Sequence, residues 1–428
     1  MAKLWNKNDS KLNPAVEKYT AGTDYVFDVE LLPFDIQASR AHAKGLEKIG
    51  ILAKDELKEI LGAFDSLESD FSAGKITISP QDEDCHTVIE NYLIEKTGEA
   101  GKKIHTGRSR NDQVAVAMRL YMKARLKLLR ASTSELAAQF LDAAEKYQEV
   151  PMPGYSHTQQ AMLTTVGHYF AAFTESLLDD SDILLAAEKH LDKSPLGSAA
   201  GFGSSIGVDR EFTTTELEFA AVQLNSLYVQ NSRGKFESVY MEALAQVMLT
   251  LGKFANDMLL FTSKEFDFFS VDDSVTTGSS IMPHKKNLDA LEIMRGNVSV
   301  VIGNQLIVKD IAKNLLSGYN RDGQLIKKPL FESTKIVADS IEVAGIMLAA
   351  LKPKPESIAA KINPGIFTAD IANELVTKEG MPFRDAYKKA AEAKVGDINL
   401  TENIASKKSL GAPGNLSLDR LHKRIKGA

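Results

Sequence analysis

Residues 243–261, ALAQVMLTLGKFANDMLLF, indicate the fold more clearly than any other stretch of the chain. Apolar residues recur there at the three- and four-residue spacings of a helix, but they cover more than one helix face. A helix that is apolar on nearly all sides is buried on all of them. This stretch therefore predicts a helix inside a bundle.

The same helical pattern extends over four further segments. It is plainest in residues 112–147, where Met118, Met122 and Leu126 keep the helical spacing. The other segments are residues 164–191, 288–316 and 331–351, and the stretch quoted above belongs to a helical segment predicted at 237–261. All are much longer than the ~11–12 residues of an average globular helix. We predict an all-α fold built on a long-helix bundle, in which KITIS at residues 75–79 is the best strand candidate.

Three domains are predicted from the interruptions of this pattern. Proline and glycine interrupt it at residues 152–157 and 194–207. LKPKP at residues 351–355 is typical of a linker, because proline cannot continue the preceding helix. We expect an N-terminal helical domain at 1–105, a central long-helix bundle domain at 106–351 and a small helical C-terminal domain at 352–428. Apolar faces left uncovered in such a bundle predict a homo-oligomer.

The composition is that of an ordinary globular protein, with 44% hydrophobic and 25% charged residues among 428. A net charge of −6, with dispersed basic residues, disfavours nucleic-acid binding. No apolar run approaches the ~20 residues of a membrane helix, and MAKLWNKNDS lacks the apolar core of a signal peptide. The lone cysteine, Cys85, allows no disulfide within the chain. We expect a cytoplasmic protein in which Cys85 is buried.

Dense polar islands interrupt the helical pattern in five places. Clustered Ser, His, Lys, Arg and Asn between long helices are better explained by a binding site than by solvated or core positions. The islands are DEDCH at 82–86, TGRSRNDQ at 106–113, GYSHTQQ at 154–160, GSSIMPHKKN at 278–287 and YNRDGQLIK at 319–327.

Three familiar motifs are excluded. GSSIMPHKK has Pro283 where a phosphate-binding loop requires glycine. GSSIG at 203–207 matches a nucleophile elbow in letters, but no strand precedes it. The acids at 82–84 and His86 lack the paired-histidine spacing of a metal site, and an acidic helix start explains them better. We expect neither a metal nor a cofactor.

The islands taken together resemble a known family. GSSIMPHKKN resembles the signature loop of the fumarase/aspartase superfamily. TGRSRNDQ, GYSH, KKN followed by DALE, and YNRD-x-Q-x-x-K are similar in kind and order to the argininosuccinate lyase family, over residues 106–327. The resemblance implies an all-α homotetramer with a shared central helical bundle and active sites built from different subunits.

The resemblance also implies a reaction: the reversible β-elimination of argininosuccinate to arginine and fumarate through a carbanion, as in arginine biosynthesis. A weak carbon acid needs a positioned base and positive charge where the anion develops. By resemblance, Ser279 is the base and Lys285 stabilises the charge. His157 is the acid or hydrogen-bonding partner of the departing guanidinium, oriented by Glu292. Which group protonates the leaving nitrogen stays open.

The substrate carboxylates require Arg, Lys, Asn and hydroxyl donors. Nine positions match the family's binding positions or lie within its motifs. For the arginines and for His86 there is an alternative: one of the two arginines forms a structural ion pair, or His86 orders the site instead of binding substrate. They are Asn111, Ser156, Asn287, Tyr319, Gln324, Lys327, Arg108, Arg110 and His86.

The sequence departs from the family pattern near its N-terminus and in the signature loop. Asp24 stands where the family usually has serine, and Glu30 where it usually has arginine. Ser156 replaces threonine, His284 glutamine and Leu288 proline. An anion at Asp24 is unfavourable beside an anionic substrate unless it faces the guanidinium.

Two alternatives are kept beside this function. One is another fumarate-releasing lyase, acting on adenylosuccinate or aspartate, against which TGRSRNDQ and YNRD-x-Q-x-x-K argue. The other is a non-enzymatic structural protein of the crystallin kind. Retention of the four residues Ser279, Lys285, His157 and Glu292 argues against it.

Overall fold

The computed structural model of the protein describes residues 13–427, and in them the predicted all-α class is confirmed. The helices are α1 (Pro14–Ala21), α2 (Asp24–Lys48), α3 (Lys54–Ser72), α4 (Cys85–Thr97), α5 (Glu99–Lys102), α6 (Arg110–Lys146), α7 (Val166–Leu191), α8 (Arg210–Glu216), α9 (Ser226–Asn231), α10 (Lys235–Phe261), α11 (Asp289–Ala312), α12 (Lys327–Ala350), α13 (Pro355–Ala360), α14 (Thr368–Glu379), α15 (Phe383–Ala391), α16 (Leu400–Ser406) and α17 (Leu418–Gly427). No helix among residues 13–427 is both long and apolar enough to cross a membrane.

The five long segments predicted from periodicity are α6, α7, α10, α11 and α12, whose bounds differ from the predicted ones by at most four residues. The largest differences are at the end of α11, which stops at Ala312, and at the start of α12. Asn314 takes φ +62°, a left-handed conformation that ends a right-handed helix. The start of α6 is held locally, because the Asp112 carboxylate accepts the Ser109 N–H at 2.9 Å.

The chain packs into two compact units. The first takes residues up to 128, 184–244 and 301–335, and the second takes 129–183, 245–300 and 336–428. The predicted boundaries after residues 105 and 351 stay predictions.

The first unit has its core between α2 and the start of α6. Ala38, Ala41, Val116 and Leu120 pack there with Leu196, and all five are buried. These α2 and α6 residues follow helical spacing, so each helix turns one apolar face to the other. The same helix also carries the acidic residues Asp24, Asp28 and Asp35, of which the last two are buried.

The second unit is packed around aromatic side chains. Phe140 meets Phe254 edge-to-face with ring centroids 5.1 Å apart, and it stacks on Phe173 at 5.5 Å. Tyr169 closes the cluster and donates its hydroxyl to Asp257 at 3.1 Å. Offset and edge-to-face contacts of this kind stabilise a core beyond the apolar area that they bury.

Strands are few and short, and they form two-stranded ribbons. β1 (Pro151–Ser156) pairs antiparallel with β2 (Gln159–Thr165), β3 (Lys193–Ser194) pairs parallel with β4 (Ala221–Val222), and β5 (Phe269–Val271) pairs antiparallel with β6 (Leu351–Pro353). The β1–β2 hairpin turns on His157 and Thr158, which both take positive φ, +52° and +60°. Positive φ at both central residues is the geometry of a type I′ hairpin turn.

The strand predicted at residues 75–79 is wrong. The segment has no strand partner among residues 13–427. The last residue of the segment, Ser79, begins a turn instead. Its N–H and its hydroxyl both donate to the Asp82 carboxylate, at 2.9 and 2.6 Å. Alternating Ile76 and Ile78 satisfied the strand pattern, but a strand also needs an adjacent edge.

Candidate active site

A cavity of about 200 Å³ in the first unit collects residues from several polar islands. Its walls are the start of α2, the loop before α4, the start of α6 and the 3₁₀ turn Arg321–Ile326 that leads into α12. Six residues predicted to bind substrate line it: His86, Arg110, Asn111, Tyr319, Gln324 and Lys327. The polar islands at 82–86, 106–113 and 319–327 therefore converge, as a binding site requires.

Lys327 is the best-buried cation of this cavity. Its Nζ lies 2.7 Å from Asp28 Oδ1 and 2.9 Å from Asp24 Oδ2, and its side chain is 5% exposed. Burial lowers the pKa of Lys327, but the charges of Asp28 and Asp24 outweigh burial and raise it. Lys327 is thus a fixed ammonium, held by two carboxylates from adjacent turns of α2.

Asp24, the residue at the family's usual serine position, lies inside the site. It lines the cavity and is the first residue of α2. Burial raises the pKa of Asp24, and Lys327 opposes that rise without cancelling it. Asp28 and Asp84 raise it further by like-charge repulsion.

His86 and Asp35 form a buried pair beneath the cavity. His86 Nδ1 lies 2.6 Å from Asp35 Oδ2, and Gln113 donates to both oxygens of that carboxylate. Burial lowers the pKa of His86, but Asp35, with Asp84 and Asp28, raises it above its ordinary value. Asp35 fixes the ring through Nδ1, and Nε2 is buried without a hydrogen-bond partner in residues 13–427.

Cys85 is buried, as predicted, next to this pair. Its Sγ lies 3.9 Å from Asp35 Oδ2 and 3.7 Å from His86 Nδ1, so these three residues could be considered as metal ligands. The 2.6 Å between His86 and Asp35 is a hydrogen-bond distance, and burial raises the pKa of the Cys85 thiol well above its ordinary value. A protonated thiol is a poor ligand, so the donor set fits a hydrogen-bonded cluster better than a metal site.

The two arginines of TGRSRNDQ have different surroundings. Arg110 lines the cavity and pairs with Asp84 at 2.9 Å, and Asp84 also caps α4 by accepting the Thr87 N–H. Arg108 is buried, donates to Ser39 at 2.8 Å and does not line the cavity. The ion pair expected of one of these arginines is formed by Arg110, while Arg108 is hydrogen-bonded to a hydroxyl, and which of the two is structural stays a prediction.

The 3₁₀ turn before α12 is tied to α1 and to the acidic loop. Gln324 Nε2 donates to the carbonyls of Thr20 and Ala21 at 3.0 and 3.1 Å. Arg321 donates to Thr20 O and pairs with Glu83 at 2.6 Å. Backbone and side-chain bonds together fix this wall of the cavity.

Three residues in or beneath the site were missed from the sequence: Asp28, Asp35 and Arg233. Asp28 lies on a helix face where an acid is usually solvated, so no local signal marked it. Arg233 lines the cavity beside Tyr319, with its guanidinium 5.8 Å from the ring centroid. NSRGK at 231–235 is a short polar island before α10 that could have revealed Arg233.

The signature loop lies in the second unit. Thr277 and Asn287 exchange backbone hydrogen bonds of 3.0 and 2.9 Å, which close the neck of the loop. Ser279 Oγ accepts the N–H groups of Ile281 and Met282 at 3.3 and 3.1 Å. Two N–H groups that point at one hydroxyl oxygen favour its anion over its neutral form.

The other predicted residues of the second unit are on exposed elements. Ser156 and His157 are at the tip of the β1–β2 hairpin, and Glu292 lies in the first turn of α11. Lys285 is exposed on the signature loop, while Asn287 at its neck donates to Gly278 O at 3.4 Å. No hydrogen bond joins His157 to Glu292 in the described part of the chain, so the pair predicted between them stays a prediction.

Comparison with known proteins places this chain in a class. Residues 11–303 match the family model described as Lyase. The chain belongs to this lyase family. Its fold is similar to that of EDDS lyase in complex with formate, with a TM-score of 0.81 and 20% identity over 98% of this chain and 91% of that one. It is also similar to fumarate lyase:delta crystallin from Brucella melitensis, with a TM-score of 0.76 and 20% identity over 97% and 94%.

Curated relatives carry a more particular name. The chain is 41% identical to argininosuccinate lyase of Thermotoga neapolitana, over 91% of this chain and 98% of that protein. It is 40% identical to argininosuccinate lyase of Xanthomonas campestris pv. campestris, over 98% of each. The resemblance that the polar islands suggested is confirmed.

Proposed function

We propose that this protein cleaves argininosuccinate reversibly into arginine and fumarate. The observation that carries the proposal is the 41% identity to an argininosuccinate lyase over 98% of that relative's length. The cavity supports it, because a substrate with three carboxylates, an ammonium and a guanidinium needs both cationic and anionic walls. A cytoplasmic location is part of the proposal, since a single cysteine fits a reducing compartment.

Ser279 is the proposed base that removes the proton beside the substrate carboxylate. A serine hydroxyl must first lose its own proton, and the N–H groups of Ile281 and Met282 stabilise the resulting anion. Each unit by which the hydroxyl pKa falls corresponds to about 1.4 kcal/mol. Gly278 before it gives the loop freedom to close over a substrate and exclude water.

Three further residues complete the proposed chemistry. Lys285 stabilises the negative charge that develops on the carboxylate as the carbanion forms. His157 acts on the departing guanidinium, and Glu292 orients its ring.

The remaining site residues are proposed to bind substrate. Arg110, Asn111 and Tyr319 offer donors within the cavity of the first unit. Ser156 and Asn287 serve as hydroxyl and amide donors beside the catalytic loop residues.

A homotetramer with a shared helical bundle is part of the proposal. On α11, Ile293, Val300 and Ile307 recur every seven residues and are 65%, 40% and 47% exposed. Leu249 and Leu260 on α10, in the stretch expected to be buried on all sides, are also about half exposed, at 47% and 48%. A heptad-spaced apolar stripe on a long helix is suited to pack against the same helix of another copy.

Fumarate release, followed by its ultraviolet absorbance, tests the function. The protein is offered argininosuccinate, adenylosuccinate and aspartate separately, and turnover of argininosuccinate alone is expected. Ser279→Ala should reduce kcat by about 10²- to 10⁴-fold, the contribution of a general base. Ser280→Ala, an exposed neighbour with the same chemical change, is the control and should keep its rate. Near-normal turnover by Ser279→Ala would mean that another group is the base.

Subunit mixing tests the assembly of the sites. If each active site takes segments from different subunits, a Ser279→Ala tetramer mixed with an Asn111→Ala tetramer should recover part of the activity. Exchange of subunits is first verified by mass spectrometry of the mixture. Exchanged but inactive mixtures would show that each chain builds its own site.

A further inference from the structure

We propose that Asp24 is a specificity-determining residue that binds a cationic group of the arginine part of the substrate. The inference rests on the proposed function. It concerns the cavity of the first unit and the carboxylate there that shares its one cation, Lys327, with a second carboxylate, Asp28.

Two carboxylates, those of Asp24 and Asp28, pair with the single ammonium of Lys327. Asp28 is closer to its Nζ, at 2.7 Å against 2.9 Å for Asp24, and Asp28 is fully buried. Asp28 Oδ2 also accepts the backbone N–H of Cys85 at 3.0 Å. Asp28 and Lys327 thus form a complete buried ion pair, and the charge of Asp24 is left in surplus.

The other acids of this region have cations of their own. Asp84 pairs with Arg110, and Glu83 pairs with Arg321. Asp35 is hydrogen-bonded to His86, whose pKa is raised. Asp24 shares Lys327, so it alone among these cavity acids lacks a dedicated cation.

Asp24 is also placed to face a ligand. Its side chain is 16% exposed, and it lines the cavity. Its Oδ2 accepts from Lys327, whereas Oδ1 has no hydrogen-bond partner among residues 13–427. As the first residue of α2, it lies at the positive end of the helix dipole, which favours its anionic form.

Two cationic or protonatable residues that line the same cavity carry buried nitrogen atoms without hydrogen-bond partners among residues 13–427. His86 Nε2 is buried without a partner, and His86 is only 5% exposed. Arg233 Nη1 is likewise buried and without a partner in the described chain. Cationic donors favour an anionic group of a ligand beside them, and the carboxylate of Asp24 favours a cationic group. A ligand with both charges, such as the amino-acid part of arginine, satisfies both.

The titration of Asp24 is consistent with a missing cation. Burial raises its pKa, Lys327 opposes the rise, and Asp28 and Asp84 add to it. Gln324, from the 3₁₀ turn, presents an uncharged amide to this region. A bound ammonium or guanidinium would stabilise the anion and lower that pKa, so binding of the cation should weaken as the pH falls and Asp24 becomes protonated.

Calorimetric binding to the full-length protein at pH 8 tests the assignment. The probes are L-arginine, agmatine, which lacks the carboxylate, 5-guanidinopentanoate, which lacks the ammonium, and fumarate. The variants are Asp24→Asn, which removes the charge at constant size, and Asp65→Asn, the same change at an exposed residue. Thermal unfolding of each variant establishes that it is folded.

Asp24→Asn should weaken arginine binding at least about tenfold, the loss expected for one charge-assisted hydrogen bond. Asp65→Asn should bind like the wild type, and fumarate affinity should not fall in either variant. A loss for arginine and agmatine but not for 5-guanidinopentanoate assigns the ammonium to Asp24, and a loss for all three assigns the guanidinium. Folded Asp24→Asn with unchanged arginine affinity overturns the inference, and so does wild-type protein that binds none of the three.

Failure of the function and failure of the inference are distinguishable. Wild-type protein that releases no fumarate from argininosuccinate refutes the proposed function, whatever it binds. Normal turnover together with arginine affinity that does not depend on Asp24 refutes the inference alone. In steady-state kinetics, Asp24→Asn should raise KM for argininosuccinate more than it lowers kcat where Asp24 binds the ammonium, because the ammonium does not react. Where Asp24 binds the departing guanidinium, kcat should fall as well.

Discussion

Lys327→Met is the substitution whose effect on stability follows most directly from the structure. Methionine keeps the length and apolar stem of lysine but removes the ammonium between Asp24 and Asp28. Asp28 is 0% exposed, so it would be left as a buried carboxylate without a counterion. Removing one partner of a buried pair typically costs about 3–5 kcal/mol, because the remaining charge is uncompensated.

The expected size of the effect depends on burial, and the chain offers a matched control. Lys309 pairs with Glu242 at 3.3 Å, and both side chains are 48% exposed. Lys309→Met should therefore cost only about 0–1 kcal/mol, as exposed ion pairs do. The free energy of unfolding is measured by urea titration at pH 8, with circular dichroism as the signal.

The urea titration is done at pH 8 because the pKa of Lys327 is raised, which keeps its ammonium charged at that pH. The pKa of Lys327 is raised above its ordinary 10.5, so its contribution to stability is fully present below that value. It is lost only as the pH rises through the higher folded-state pKa. The double variant Lys327→Met/Asp28→Asn should recover part of the loss, since it removes the orphaned charge. A Lys327→Met loss no larger than that of Lys309→Met would refute the reasoning.

Two further effects follow from local contacts. A methyl group on Gly252 would lie 2.5 Å from Val298 Cγ2, so Gly252→Ala should destabilise by about 1–3 kcal/mol. A methyl group on Gly296 would meet no atom within 4 Å, so Gly296→Ala should instead stabilise α11 by up to about 1 kcal/mol. Thermal unfolding of the two variants compares these effects. The raised pKa of His86 predicts stability that is present below pH 6.5 and lost as the pH rises through the folded-state pKa. Asp35→Asn should flatten that pH dependence in urea titrations, and an unchanged slope would contradict the pairing.

The long helices could be predicted because their signal is local. A 3.6-residue apolar period over twenty or more residues has no competing interpretation as a strand. The end of α11 was overestimated because the left-handed conformation of Asn314 is not encoded by any pattern of polarity. The turn at His157 and Thr158 was missed for a related reason, since a type I′ turn is usually marked by Asn-Gly.

The site was predictable where it is made of dense polar islands. His86, Asn111 and Tyr319 belong to different islands and lie on one cavity, as clustering suggested. Asp28 and Asp35 were not predictable, because single acids on an amphipathic helix are normally solvated. Only the fold shows that they face buried cations.

Asp24 shows why a motif does not fix the charge of a site. Its Lys327 partner is 303 positions away in sequence, and what Asp24 does depends on whether that ammonium is already neutralised. Since Asp28 neutralises it, exchange of a hydroxyl for a carboxylate at position 24 changes the net charge of the cavity by one unit. Discrimination between a zwitterionic and a purely anionic ligand should therefore be stronger in this protein than in its Asp24→Ser variant. Equal arginine-to-fumarate affinity ratios in the two proteins would show that the added carboxylate serves only Lys327.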